Sequence, residues 1–355
     1  NNYGAVLQAF SLYTTIKNIT RECEIIDYRN GPIESIYHGN IGVRYIAIKT
    51  FKFVLKPKKF WNQFAMNLKF KKFRKCFFEL SSKCYFKNFC DTFNQYENLI
   101  VGSDQVWNYN ITNNDSVYFL PVQSNNKIAY AGSFGNLAIY FSNRDEMNKY
   151  LSSFNCISVR EKDAYDVLSQ DFENVEIVCD PVFLTCKQKW ISHFNLTLLP
   201  RKIRQPYLLI YKVAKQRVCI EAAINYARQH DLLVVFLNYG GKTNIKNRII
   251  LNDCGPIDFL NLFFNASAVF TTSFHGLAFS LIFNKEFYFE LSNEDDDKNS
   301  RLVTLKNIFD IGDREILSTN FTETKAIDWV MINKKINLLS EAGVSFLEKN
   351  LKYEK

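Results

Sequence analysis

The chain has no apolar run of membrane length, because Lys or Asp interrupts each candidate. A bilayer-spanning helix is therefore not expected. It also has no Cys-x-x-Cys pair, and its nine cysteines are scattered and odd in number. That pattern speaks against a zinc site and for a reducing cytoplasm, and no metal is expected. Cys156, Cys179 and Cys219 lie within apolar runs and read as small buried hydrophobes. No signal peptide and no short internal repeat is visible. The chain begins at Asn1 rather than Met, from which a missing N-terminal segment is expected.

Acidic residues are nearly missing from one stretch. Between Arg44 and Cys90, thirteen Lys/Arg stand against the single acid Glu79, a local charge of +12. The whole chain is only +8, so the remainder carries −4. Phe60, Trp61, Phe64, Phe70, Phe73 and Phe77 fall in the same stretch, and Phe60, Phe64 and Leu68 are four apart. Two readings stay open: a core-packed helix with a solvated basic face, or an interfacial helix touching an anionic membrane. No recognition motif accompanies the charge, so nucleic acid is not an expected partner.

What the chain has in quantity is apolar surface: 47% of its 355 residues. That excludes disorder and leaves room for two domains. Short, unalternating apolar runs at 24–27, 99–101, 127–131, 157–159, 175–178, 207–211, 232–237 and 268–271 predict parallel strands covered on both faces. Helical patterns fall between them, after Gly4, after Arg160, at 217–229 and at 256–264. The alternation predicts a doubly wound α/β architecture, repeated. Trp190, Pro200 and Pro206 break the rhythm between Cys186 and Pro206, where an interdomain linker is expected. The expected units are residues 1–190 with the basic aromatic insertion 44–90, residues 207–330, and a helical tail 331–355.

The most informative junction is Ala268–Phe279. A buried-strand run stops at Thr271-Thr272-Ser273, and Phe274-His275-Gly276 then opens a helical pattern. In an open α/β sheet this is where ligands bind, against helix N-terminal amides. A histidine there either caps and fills the turn or carries chemistry. Other polar clusters also sit at predicted strand or helix ends. Asn2-Tyr3-Gly4 opens the first helix, and Gly102-Ser103-Asp104-Gln105-Val106-Trp107 offers polar groups beside an aromatic wall. Arg160 is either an anion-gripping fork or half of a surface pair with Glu161. Cys179-Asp180-Pro181 ends another strand, with Asp180 read as structural. Together they predict a crevice between two α/β domains.

These segments resemble the polysaccharide pyruvyl transferase family. The resemblance runs through Asn2–Ala9, Ile25–Arg29, Val101–Trp107, Tyr130–Gly135, Ile157–Lys162, Asp180-Pro181 and Thr272–Ser280. It implies two Rossmann-like domains facing each other across a cleft, as in GT-B glycosyltransferases. It implies a cytoplasmic enzyme that uses phosphoenolpyruvate, without a cofactor, to place a pyruvate ketal on a sugar. The acceptor is expected to be a lipid-linked precursor of a bacterial capsule or exopolysaccharide. His275 maps onto the family's histidine and becomes the expected general acid, with Asp104 as hydroxyl base or sugar ligand. Arg160, Ser273, Gly276 and Arg301 are expected around the donor; Asn2, Tyr3, Gly4, Ser103, Gln105 and Trp107 are expected around the acceptor. Ser273 stands where some members carry arginine, which shifts the load of donor binding onto Arg160 or Arg301. The resemblance also implies a strand upstream of Asn2. A nucleotide-sugar glycosyltransferase and a catalytically degenerate carbohydrate binder are the alternatives.

Overall fold

Apolar runs too short to be helices are joined here into two separate parallel sheets. The computed structural model describes residues 2–31, 57–123, 125–197, 199–200, 202–213, 218–241, 245, 247–291, 296–319 and 324–352. The first sheet orders β3 (Asn98–Asp104), β4 (Asn126–Gly132), β5 (Cys156–Val159) and β6 (Val175–Ile177) side by side. A short parallel pair, β1 (Ile25–Tyr28) and β2 (Leu80–Cys84), forms a sheet of its own. The second sheet contains β7 (Tyr207–Tyr211), β8 (Leu233–Leu237), β9 (Arg248–Leu251), β10 (Ala268–Thr271) and β11 (Glu286–Phe289), in the order β11-β10-β7-β8-β9. Every residue of β4, β5, β7, β8 and β10 is buried, which explains why these strands do not alternate.

The second sheet reverses direction between β7 and β10. The chain adds β8 and β9 on one side of β7, then returns to add β10 and β11 on the other. A crevice opens at the carboxyl ends of the two strands where the winding reverses. His275 follows β10 there, on the helix Phe274–Ile282.

Three strands escaped the sequence reading. β2 lies inside the basic aromatic segment, and β9 and β11 begin with Arg248 and Glu286, charged residues that blur their apolar runs. The expected linker runs between the two sheets and is partly helical. Its first half is the helix Lys187–Phe194, whose Trp190 is fully buried against Phe10 and Phe279.

The basic helix Pro57–Phe77 packs one side on the core and leaves the other exposed. Met66, Phe70 and Phe73 are buried, with Phe73 and Phe77 packed on Phe10 of the first helix, Tyr3–Thr20. Trp61, Phe64 and Leu68 remain 55%, 46% and 50% exposed. Residues 44–56 of this segment lie outside the described residues. Among the described residues no helix is long and apolar enough to cross a membrane.

The C-terminal helix Trp329–Asn350 packs back onto the first sheet. Phe346 lies 5.9 Å from the Tyr130 ring, and Asn126 donates to the Asn350 carbonyl at 2.7 Å.

Candidate functional site

The carboxyl ends of both sheets place their polar side chains in one buried cluster. Asp104 ends β3 with φ 65°, a left-handed conformation that asparagine and aspartate tolerate best among non-glycine residues. Arg160 follows β5, Asp180 follows β6, and His275 follows β10. Arg301 enters from the helix Asp296–Phe309.

Arg160 is the hub. Its Nε donates to Glu161 Oε1 at 2.8 Å, its Nη1 to Asp180 Oδ2 at 2.5 Å, and its Nη2 to Asp104 Oδ1 at 3.3 Å. Ser103 Oγ lies 3.4 Å from both Arg160 Nη1 and Asp180 Oδ2. The Phe274 ring covers the guanidinium at 5.1 Å. Burial opposes the charge on Arg160, but Glu161, Asp180 and Asp104 outweigh it and hold the proton firmly. The surface pair with Glu161 is thus corrected to a buried one, and the fork is already filled by protein carboxylates. Burial raises the Glu161 carboxyl, against the pull of Arg160. Burial also works against the Asp104 carboxylate, yet Arg160, His275 and Arg301 hold it below its ordinary range.

Arg301 is the more accessible cation. Its side chain retains 23% exposure, with Nη1 3.5 Å from Asp104 Oδ1. It lines two adjoining cavities. One is polar, walled by Ser133, Gly135, Asn136, Glu161, Asp163 and Ser300. The other is mainly apolar, walled by Phe183, Phe274, Leu305, Ile308 and Leu339.

His275 is buried, and its Nε2 has no hydrogen-bond partner. The nearest carboxylate oxygen, Asp180 Oδ2, stands 3.8 Å away. Burial pushes the imidazole below its ordinary pKa, partly offset by Asp180 and Asp104, so the ring is neutral at neutral pH. Its other edge meets the first helix. A Cβ built on Gly4 would fall 2.0 Å from His275 Nδ1, so only glycine permits this approach.

The remaining expected residues divide between support and site. Ser273 caps the His275 helix by accepting from Gly276 N–H at 3.4 Å, which engages that amide, and its hydroxyl also meets Tyr211. Gly276 also backs onto Thr271, where an added Cβ would lie 2.2 Å from its hydroxyl. Asn2 caps the first helix by accepting from Ala5 N–H. Tyr3 pins that helix to the second sheet's side: its hydroxyl donates to the Cys254 carbonyl and accepts from Asn238, both at 2.9 Å. Gln105 accepts from Asn108 at 2.6 Å, beside Gly135 of the polar cavity. Trp107 forms no wall of the crevice. It is fully buried between Phe119 and Phe134, with the backbone of Gly132 against its ring. The aromatic expected beside the polar groups at that strand's end is part of the first sheet's core.

The sequence reading missed Asp180 as a member of the site, although the strand-ending Cys179-Asp180-Pro181 signal was visible. It also missed Phe274 and Ser300, for which nothing local in the sequence gave a sign.

A sequence model of the family described as polysaccharide pyruvyl transferase matches residues 2–290. The chain belongs to that family. It is accordingly a transferase of polysaccharide biosynthesis. No curated protein matches it. Among solved structures it is similar to a Listeria monocytogenes protein described as a UDP-N-acetylglucosamine 2-epimerase. Identity is 9%, with 96% of this chain and 89% of that chain covered, at a TM-score of 0.50. A UDP-GlcNAc 2-epimerase from Methanocaldococcus jannaschii follows at 11% identity, 94% and 89% coverage and a TM-score of 0.47. At such identity the likeness is one of fold: two Rossmann-like units of the GT-B type, in keeping with the two parallel sheets. The match takes in every strand of the sheets of this pyruvyl transferase, from β1 to β11.

Proposed function

We propose that this transferase forms a pyruvate ketal on a sugar of a capsular or exopolysaccharide precursor, drawing the three-carbon unit from phosphoenolpyruvate. The observation that carries the reading is the unpartnered Nε2 of buried His275, placed past the carboxyl end of β10, beside β7, where the winding order reverses.

Ketal formation needs an acceptor hydroxyl to attack C-2 of the donor while C-3 gains a proton. A second hydroxyl then displaces phosphate, and its proton leaves with that phosphate. The neutral imidazole suits the first step in both directions. His275 takes the proton of the attacking hydroxyl and passes it to C-3, so the expected general acid begins as a base. Asp104, kept ionised by Arg160 and Arg301, accepts a hydrogen bond from an acceptor hydroxyl. Arg301 takes over the donor's anionic groups, because Arg160 is already engaged by three carboxylates. The polar side chains of Ser133, Asn136, Glu161, Asp163 and Ser300 offer donors and acceptors to the hydroxyls of an acceptor at the cavity mouth. Glu290 argues against a nucleotide sugar, since its carboxylate already accepts from Cys219 N–H at the N-terminus of the helix Val218–Gln229.

The acceptor is proposed to be lipid-linked, with the basic helix meeting the membrane that carries it. By the 3.6-residue turn, Lys71, Lys72 and Lys75 fall on the side of Trp61, Phe64 and Leu68, opposite Met66, Phe70 and Phe73. Exposed aromatics flanked by lysines are complementary to an anionic lipid surface.

The experiment is phosphate release from phosphoenolpyruvate, with and without lipid-linked sugars. Acceptor-dependent release is expected, and His275→Ala should lower it by about 10²–10⁴-fold. Nucleotide-sugar hydrolysis, or sugar binding with no phosphate released, would overturn the reading.

A further inference from the structure

Asp180 ends β6 in a turn that the packing alone would explain: its Oδ1 accepts from Val182 N–H at 3.1 Å. Its other oxygen has a different set of neighbours. Oδ2 receives Arg160 Nη1 at 2.5 Å and faces His275 Nε2 at 3.8 Å, and the side chain is fully buried. At 3.8 Å no hydrogen bond forms, so Nε2 stays free for a substrate hydroxyl. A charge at that distance in a buried site still acts strongly on the ring. The groups facing His275 are Asp180 after β6, Asp104 from β3, Arg160 after β5 and Arg301 from the helix Asp296–Phe309. Two are acids and two are arginines, and the arginines pair with the acids.

We propose that Asp180 is a positioning residue for the transfer, its buried carboxylate stabilising the imidazolium that His275 becomes during the reaction. The inference rests on the base-then-acid reading of His275. As the hydroxyl O–H bond breaks, an N–H bond forms at Nε2. The N–H bond then breaks as the C-2=C-3 electron pair takes that proton at C-3, the freed oxygen bonds to the C-2 so left electron-poor, and His275 returns to neutral. Asp180 neither gains nor loses a proton. It lowers the energy of the one moment at which His275 carries charge.

The test is Asp180→Asn, whose single carbonyl oxygen keeps the Val182 cap while the charge and the acceptor for Arg160 Nη1 are lost. The His275 Cε1–H resonance, assigned by comparison with His275→Gln, is titrated in the free protein. Its midpoint should fall by about one pH unit. The acid limb of the kcat/KM profile should move down with it, and kcat should fall at least about tenfold. A merely structural Asp180 would lower the Tm and leave the midpoint in place, and an unmoved midpoint overturns the proposal. Should Asp180→Asn fail to fold, Asp180→Glu keeps the charge for Arg160 and displaces it relative to Nε2. A shifted midpoint in that variant supports the proposal and an identical one overturns it. If the wild-type protein releases no phosphate from phosphoenolpyruvate, the proposed function fails, while the titration still decides whether Asp180 governs His275.

Discussion

Adding one methyl group at Gly4 should disable the enzyme without unfolding it. The new Cβ would lie 2.0, 2.3 and 2.4 Å from His275 Nδ1, Cε1 and Cγ. Ordinary contact is about 3.5–4.0 Å, so the ring or the helix must withdraw by about 1.5 Å. The helix resists, because moving it would break the Tyr3 hydroxyl's bonds to Cys254 and Asn238 and its stacking on Phe259. The ring therefore gives way. A misplacement on the order of 1 Å costs about 10²-fold in rate. Stability falls by no more than about 2.5 kcal/mol, since overpacking costs about 1–3 kcal/mol while alanine regains about 0.5–1 kcal/mol of backbone entropy. Initial rates of phosphate release, set beside calorimetric melting of Gly4→Ala, read both quantities. Wild-type turnover in a folded Gly4→Ala protein would refute the contact, and with it the placement of His275.

Removing the hub should be far more damaging to the fold. Arg160→Ala leaves Glu161 and Asp180 without their arginine and Asp104 with Arg301 alone, at a cost of about 3–5 kcal/mol, and should lower the Tm by about 4–7 °C; an unchanged Tm would show that the cluster does not stabilise the fold. Arg301→Ala should instead spare the Tm and weaken phosphoenolpyruvate binding about tenfold to a hundredfold in calorimetric titration, with unchanged affinity refuting its donor role. The depressed pKa of His275 gives a sign to pH dependence: between its folded midpoint and the unfolded value of about 6.5, the unfolded chain binds more protons. Stability from this group is therefore full above about pH 6.5 and is lost as pH falls through the folded midpoint, and His275→Gln should flatten that slope in melts run at a series of pH values. Reversing Lys71, Lys72 and Lys75 to Glu should abolish salt-sensitive flotation with anionic vesicles, and equal recovery with neutral lipid would return the basic helix to a solvated surface.

The sheets were legible because their strands are apolar throughout. The run Tyr207–Tyr211 can hardly be anything but a doubly covered strand. β9 and β11 open on charged residues and are held by their neighbours in the sheet, information that four residues of sequence do not contain. His275 was legible because a strand-to-helix junction dictates where its ring must stand. Arg160 was legible as a polar group at a strand's end, but not as one already satisfied, because its partners lie 20 and 56 residues away in sequence. Trp107 failed for the opposite reason: sequence shows an aromatic beside polar groups and cannot show which way it turns.

The return of the Trp329–Asn350 helix to the first sheet has a consequence for how the protein is made. Tyr130 and Asn126, on a strand made some two hundred residues earlier, take part of their cover from residues 343–350. Chains generally begin to fold from the N-terminus while still on the ribosome. Here the first sheet must wait, one flank uncovered, until the helix Trp329–Asn350 has emerged. The two halves therefore mature together, and a nascent chain arrested after β11 would present to chaperones the surface that the last helix is built to close.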